Sequence, residues 1–166
     1  MRKILADNRG LSLIELVVTM VILTLLASLI LPSAQLASKR TKEIELRRSL
    51  REMRTAIDEY KKNHEKVQSD QKTLPGVEGL TTHYPKTLHL LVEGDDFGGL
   101  VKEKKKFLRR IPKDPFYTGD GDDDTVWGLR SSQDPPDSTN WGKQDVFDVY
   151  SKSDGVAIDG TKYKEW

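Results

Sequence analysis

The sequence contains no cysteine among its 166 residues. Disulfide bonds, catalytic thiols and cysteine-ligated metal centres are therefore excluded. Charges of the two signs nearly cancel, since 27 lysines and arginines stand against 26 aspartates and glutamates. The formal net charge of +1 provides no strong basic field, so nucleic acid is not an expected partner.

Aromatic residues are missing from the N-terminal third of the chain, and the first of them is Tyr60. The bulk needed for the core of a small domain therefore lies in the C-terminal part. A filament that conducts electrons through stacked rings is not supported, because residues 11–59 offer no ring. The sequence also shows no nucleophile–base–acid set, phosphate loop or metal triad, so we expect no enzymatic activity and no organic cofactor.

Charge is almost missing from the apolar segment 11–31, where Glu15 is the only ionisable residue. As a helix this segment would be about 31 Å long, close to the roughly 30 Å hydrocarbon thickness of a bilayer. Arg2, Lys3 and Arg9 precede it. The positive-inside rule therefore predicts a cytoplasmic N-terminus, with the rest of the chain on the other side of the membrane.

A carboxylate near the start of an apolar membrane helix costs a few kcal/mol on insertion scales. Glu15 either lies close enough to the interface to reach lipid headgroups or has a partner in another chain. An ordinary signal peptide is excluded, because the apolar run is too long and no small-residue cleavage site follows it. Gly10 precedes the apolar run.

The arrangement of Gly10, Glu15 and a short basic leader resembles the class III signal of type IV pilins and type II secretion pseudopilins. This resemblance implies that a prepilin peptidase cuts between Gly10 and Leu11 and methylates the new terminus of Leu11, where the family most often has phenylalanine. It also implies that Glu15 meets this amine in a neighbouring subunit. Such a pairing would relieve the desolvation penalty of both charges.

Pro32 follows the apolar run and is expected to bend or interrupt the helix. Two interpretations remain open: a kink where the helix leaves the membrane or, by resemblance, a site that melts during assembly. Residues 33–68 then continue as an amphipathic helix. Its apolar stripe predicts a spine that packs against the chain's own head, with a coiled coil as the alternative; the stripe comprises Leu46, Leu50, Met53, Ile57, Tyr60, His64 and Val67.

The remaining pattern predicts a small α+β head. A short helix is expected over residues 86–93, and period-two alternation predicts antiparallel strands over 125–130 and 145–150. Packing or surface roles are expected for His64, His83 and His89. The predicted organisation is a leader at 1–10, a membrane and assembly helix at 11–32, a spine at 33–68 and a head at 69–166, which together form the pilin fold that the resemblance implies.

Two further segments resemble the G-type major pseudopilin of type II secretion. Residues 109–116 resemble the proline-rich segment that leads into its sheet. The tail, with two Asp-Gly pairs, resembles its calcium loop, which implies a calcium ion at Asp154, with Ser151, Ser153 and Asp159 as weaker ligands. The alternative is two turns without an ion. The acidic residues at 120–124 are expected to form a solvated hairpin tip.

These features predict a structural subunit that forms a homopolymer, a periplasmic pseudopilus. The resemblance implies prepilin peptidase, an inner-membrane assembly platform and minor pseudopilins as partners, and a single pass through the inner membrane before assembly. The close alternative is the main subunit of a surface type IV pilus. An alternative of another class is a membrane-anchored binding module.

Overall fold

The computed structural model describes residues 10, 12–70, 82–97, 99, 101–117, 119 and 123–166. In chain order these form α1 (Leu13–Asp70), α2 (Leu88–Glu93), α3 (Asp123–Val126), β1 (Trp127–Arg130), β2 (Asp148–Ser151) and a 3-10 helix, Tyr163–Glu165. The chain divides into two compact units, Met1–Arg40 and Thr41–Trp166. The predicted α+β class, with a long N-terminal helix and a small antiparallel sheet, is confirmed.

Helix α1 is 58 residues long because its sequence contains no glycine and only one proline. The helix runs through Pro32, so this proline does not end it. A bend there, and a role for Pro32 in assembly, stay predictions. The boundary between the two compact units falls inside the helix, between Arg40 and Thr41.

The core of the second unit is built on the predicted stripe of α1. Leu46, Met53 and Ile57 have no exposed surface, Leu50 and Tyr60 are buried, and Val67 packs at the edge. The head contributes the other side of this core, with Leu88, Leu91, Ile111, Trp127, Val146, Val149 and Tyr163. The predicted packing of the spine against the head is therefore confirmed.

Strands β1 and β2 form an antiparallel ladder in which Trp127 lies opposite Ser151 and Arg130 opposite Asp148. Gly128 lies opposite Tyr150, and a Cβ atom at Gly128 would come within 2.2 Å of the tyrosine ring. The backbone can approach the ring only because this residue has no side chain.

The predicted strands were too long at their N-terminal ends. Thr125 and Val126 belong to α3, and residues 145–147 precede β2. The Asp145 carboxylate accepts hydrogen bonds from the Ser132 backbone N–H and hydroxyl, at 2.8 and 2.7 Å, and this buried contact replaces strand pairing. Of the hairpin tip predicted at 120–124, residues 120–122 lie outside the described residues, and Asp123 and Asp124 begin α3.

Helix α2 begins at Leu88, two residues after the predicted start. Pro85 is buried, and its carbonyl accepts a hydrogen bond from the Val146 N–H at 2.7 Å. This contact keeps the chain extended before the helix. Gly94 follows α2 and has a positive φ of 86°. It ends the helix, as the sequence predicted.

Candidate functional site

The N-terminal part of α1 exposes apolar side chains on all of its faces. Every residue from 12 to 28 is exposed, including Leu13, Ile14, Leu16, Val17, Val18, Met20, Val21, Ile22, Leu23, Leu25 and Leu26. A helix that is apolar all round is stable only in an apolar environment. By length and composition, α1 includes a stretch that could cross a membrane.

Three of the hydroxyl groups of this apolar stretch are satisfied within the helix itself. Thr19, Thr24 and Ser28 donate to backbone carbonyls one turn earlier, at 2.9, 2.7 and 2.7 Å. Such local bonding removes the cost of placing these hydroxyl groups in lipid or against another apolar helix. Glu15 is the ionisable side chain of this stretch, and it requires a partner outside the helix.

Glu15 lies in the first turn of α1 and is exposed. No described residue forms an ion pair with it. Leu11, the residue whose amine was predicted to meet Glu15, lies outside the described residues, so this pairing stays a prediction. The helix N-terminus provides a partial positive charge near Glu15, but an exposed dipole offsets only a fraction of the cost of burying a carboxylate.

Among the described residues, nothing requires glycine at position 10. Its φ is not in the left-handed region, and a Cβ atom built there would meet nothing within 4 Å. A glycine that neither a turn nor close packing demands has to be explained by something outside the folded chain.

Segment 109–116 lies against one end of the two-stranded sheet. Ile111 is buried, and the Pro112 carbonyl accepts a hydrogen bond from the Trp127 indole N–H at 2.9 Å. The buried Asp114 carboxylate accepts hydrogen bonds from the Phe116 N–H and the Ser151 hydroxyl, at 2.8 and 2.5 Å. The segment thus joins the first residue of β1 and the last residue of β2, which lie opposite each other.

The tail is fixed to α1 by Glu43, a buried carboxylate that sequence reasoning missed. It accepts hydrogen bonds from the Ile158 N–H at 2.8 Å and from the Tyr163 hydroxyl at 3.0 Å. Burial, together with the Glu43 carboxylate, raises the pKa of Tyr163 to about 12. The available signal was spacing: Glu43 precedes Leu46 by three residues and so continues the buried stripe.

Two arginines of α1 also hold the C-terminal part of the head. Arg54 donates to Asp148 at 2.7 Å, to the Val149 carbonyl at 3.0 Å and to the Trp166 backbone oxygen at 2.8 Å. Arg47 forms an ion pair with Asp159 at 3.2 Å, and its guanidinium lies 4.1 Å from the centre of the Trp166 ring. The tail is thus attached to the spine at three positions, Glu43, Arg47 and Arg54, which together span about three helical turns.

The predicted calcium ligands have separate partners in this structure. The Asp154 side chain is 92% exposed and pairs with Lys164 at 3.3 Å. Asp159 accepts from the Thr161 N–H and hydroxyl as well as from Arg47, and these contacts lower its pKa. The Ser151 hydroxyl points to Asp114, while Ser153 Oγ accepts from the Gly155 N–H at 3.3 Å.

The arrangement does not present the six to eight oxygen ligands that calcium prefers. In the part of the chain that the structure describes, no group of three His, Asp or Glu side chains is placed to hold a metal. An ion bound at Asp154 would have to displace Lys164, and Asp159 would have to release Arg47. Calcium at the tail stays a prediction.

The histidines lie near the end of α1, away from the tail. Nδ1 of His64 lies 2.9 Å from Nδ1 of His83, and the His64 ring packs edge-on against Phe97 at a centroid distance of 5.5 Å. Burial and the neighbouring His83 lower the pKa of His64. The rings pack in an aromatic cluster, as predicted for His64, but the pairing with His83 could not be read from two residues 19 positions apart.

Comparison with known proteins identifies one motif. Residues 5–31 match the prokaryotic N-terminal methylation motif. No curated protein and no solved structure gives a significant match to the chain. The matched range contains Gly10, Leu11 and Glu15, and it ends where the apolar stretch ends.

Proposed function

We propose that this type IV pilin-like chain is the main subunit of a periplasmic pseudopilus in a type II protein secretion system. The observation that carries the proposal is the match of residues 5–31 to the methylation motif, on a helix whose apolar side chains are exposed on every face. Such a helix has to be covered by lipid or by other copies of itself.

The proposed maturation begins at Gly10. Prepilin peptidase cuts between Gly10 and Leu11 at the cytoplasmic face and methylates the amine of Leu11. Because the fold has no need for glycine at position 10, its presence is best explained by recognition in the peptidase. Before assembly the chain crosses the inner membrane once, with its head in the periplasm.

Assembly then transfers the apolar stretch from lipid into the filament. In both environments the stretch stays out of water, so the transfer costs little hydrophobic free energy. Glu15 adds specificity: its carboxylate pairs with the cationic amine of Leu11 in a neighbouring subunit and fixes the axial position of one helix against the next. An inner-membrane assembly platform and minor pseudopilins would act in this step.

Two features favour a pseudopilin over the main subunit of a surface type IV pilus. The sequence has no cysteine to staple the tail, and the tail is attached instead through Glu43, Arg47 and Arg54. Segment 109–116, which resembles the corresponding segment of the G-type pseudopilin, lies at the end of the sheet with Ile111 and Asp114 buried. The surface pilus remains the second candidate, because the methylation motif applies equally to it.

The experiment that separates the two candidates is deletion of the gene in its own cell. For a pseudopilin, proteins normally released into the medium accumulate in the periplasm, and the full-length chain restores their release. Surface filaments sheared from the cells stay unchanged. Loss of surface filaments with normal release of secreted proteins would contradict the proposal and identify a pilus subunit.

A further inference from the structure

A groove lined by arginines runs along α1 opposite residues 107–113. It consists of two adjoining cavities of about 640 and 650 Å³, which share Arg48, Glu52 and Arg110. We call it the arginine groove and define it by Arg48 and Arg51 of α1 and by Arg109 and Arg110 on the facing segment. Lys113 lines the second cavity.

The four guanidinium groups of the arginine groove have no carboxylate partner in the described part of the chain. Other arginines of the same unit are all engaged: Arg47 and Arg54 bind the tail, and Arg130 binds Asp148 and the Ser138 carbonyl. Glu52 and Glu59 line the first cavity and form no ion pair with any described residue, so four cations there exceed two anions. The guanidinium groups of the arginine groove can therefore bind further carboxylate groups.

The groove has the features of a site for an acidic peptide segment. Arginine presents a planar fork that binds a carboxylate through two hydrogen bonds, and four such groups lie along one groove. The floor is apolar, since Ala56 and Leu108 are buried and Phe107 is half-buried. A backbone can lie on this floor while its carboxylates reach the arginines.

We infer that the arginine groove binds the acidic segment 120–124 of a second copy of the chain. This segment, Asp-Gly-Asp-Asp-Asp, carries four carboxylates and no cation, and it is the densest concentration of acid in the sequence. A second copy is the natural source of this acidic segment, because every copy carries both the groove and the segment. The net charge of +1 means that each chain has nearly as many acidic as basic residues. The inference rests on the proposed polymerisation and adds a contact between heads to the contact between helices.

The absence of native cysteine allows a direct test by cross-linking. One form of the full-length chain carries Thr55→Cys, at an exposed position in the groove, and a second, separately tagged form carries Asp122→Cys. Both are produced in cells that assemble the filament, and the membranes are oxidised. Because each chain has one thiol, a disulfide between the two tags can only join different copies.

The expected result is a disulfide-linked dimer that carries both tags. A matched pair with Lys62→Cys, also exposed on α1 but outside the groove, is expected to give none. Absence of the first dimer while filaments form normally would overturn the inference and leave the proposed function standing. A further form carries Thr55→Cys and Asp122→Cys in the same chain. An intrachain disulfide in this form would also overturn the inference, because the acidic segment would then occupy the groove of its own chain.

Charge reversal provides a second, independent readout. Arg48→Glu with Arg51→Glu is expected to cause loss of the cross-linked dimer and a fall in filament yield, whereas Lys62→Glu with Lys66→Glu, the same charge change on the same helix, leaves both unchanged. Replacing Asp120, Asp123 and Asp124 by lysine in the second copy, which keeps its cysteine at position 122, is expected to restore the dimer. Unchanged filaments and dimer in the groove variant would contradict the inference. Normal cleavage after Gly10 in every variant separates this outcome from a failure of the proposed function.

Discussion

In the N-terminal part of α1, from Leu13 to Ser28, all side chains are exposed, whereas between Leu46 and Tyr60 the apolar side chains of the same helix are almost completely buried. The first stretch is apolar on every face and is exposed along its whole length. The second stretch is apolar on one stripe and is covered by the head. One helix thus combines a part whose apolar side chains are buried by the chain itself and a part whose apolar side chains need lipid or other copies to cover them.

The carboxylates of the two parts show the same difference. Glu43 has two donors from its own tail, and Glu15 has no ion-pair partner among the described residues. A buried acid with partners in the chain stabilises the fold, whereas we expect the acid on the apolar helix to stabilise an assembly that supplies its partner. Substitutions at these two positions should therefore separate folding from polymerisation.

The largest effect is expected from Glu15→Val. The variant should insert into the membrane and be cleaved but form no filaments, because the amine of the neighbouring subunit loses its carboxylate in an apolar environment. Filaments are counted by electron microscopy after cross-linking. The control Glu103→Val removes an exposed carboxylate of the head and should leave assembly normal. Normal filaments from Glu15→Val would contradict the role of Glu15 in setting the helix register.

The next largest effect is expected from Glu43→Ala, which should reduce the stability of the folded head. The buried Tyr163 hydroxyl and the Ile158 N–H lose their acceptor, so the free energy of unfolding should fall by roughly 2–4 kcal/mol. Urea unfolding of the full-length chain in detergent can be followed by tryptophan fluorescence, since Trp127, Trp141 and Trp166 all lie in the head. Glu43→Gln should lose less, and Glu45→Ala, at an exposed position, almost nothing. Equal stability of Glu43→Ala and the parent chain would contradict the anchoring of the tail.

Calcium is expected to have a moderate effect on the melting temperature. At 100 times the dissociation constant, a bound ion stabilises the folded state by about 2.7 kcal/mol, which should raise the melting temperature by several degrees. Asp154→Asn should abolish this shift and Asp137→Asn should not. An identical melting temperature with calcium and with chelator would leave the tail as plain turns held by Lys164 and Arg47.

The smallest effect is expected from a change of pH on the free energy of unfolding. Burial and His83 lower the pKa of His64, while Asp95 and Glu65 oppose this shift. Between the unfolded pKa of about 6.5 and the lower folded pKa, the unfolded chain binds more protons. Stability should therefore be constant above that range and fall as the pH decreases through it. His64→Gln should flatten this dependence, and a profile identical to that of the parent chain would contradict the pairing with His83.

The sequence predicted the features that depend on periodicity and missed those that depend on single side chains. The stripe from Leu46 to Val67 was identified because helical spacing repeats over six turns. The start of β2 was misplaced because the Asp145 carboxylate binds Ser132, a contact that alternation does not encode. Glu43 was missed because a buried carboxylate is recognised only when its donors, Ile158 and Tyr163, are in place.

The most direct test of the account is the intact mass and N-terminal sequence of the protein purified from membranes. The account predicts a mature chain that begins at methylated Leu11, with residues 1–10 removed. A chain that begins at Met1 in cells with active prepilin peptidase would contradict processing and polymerisation, and would identify the protein as an anchored domain with a different role.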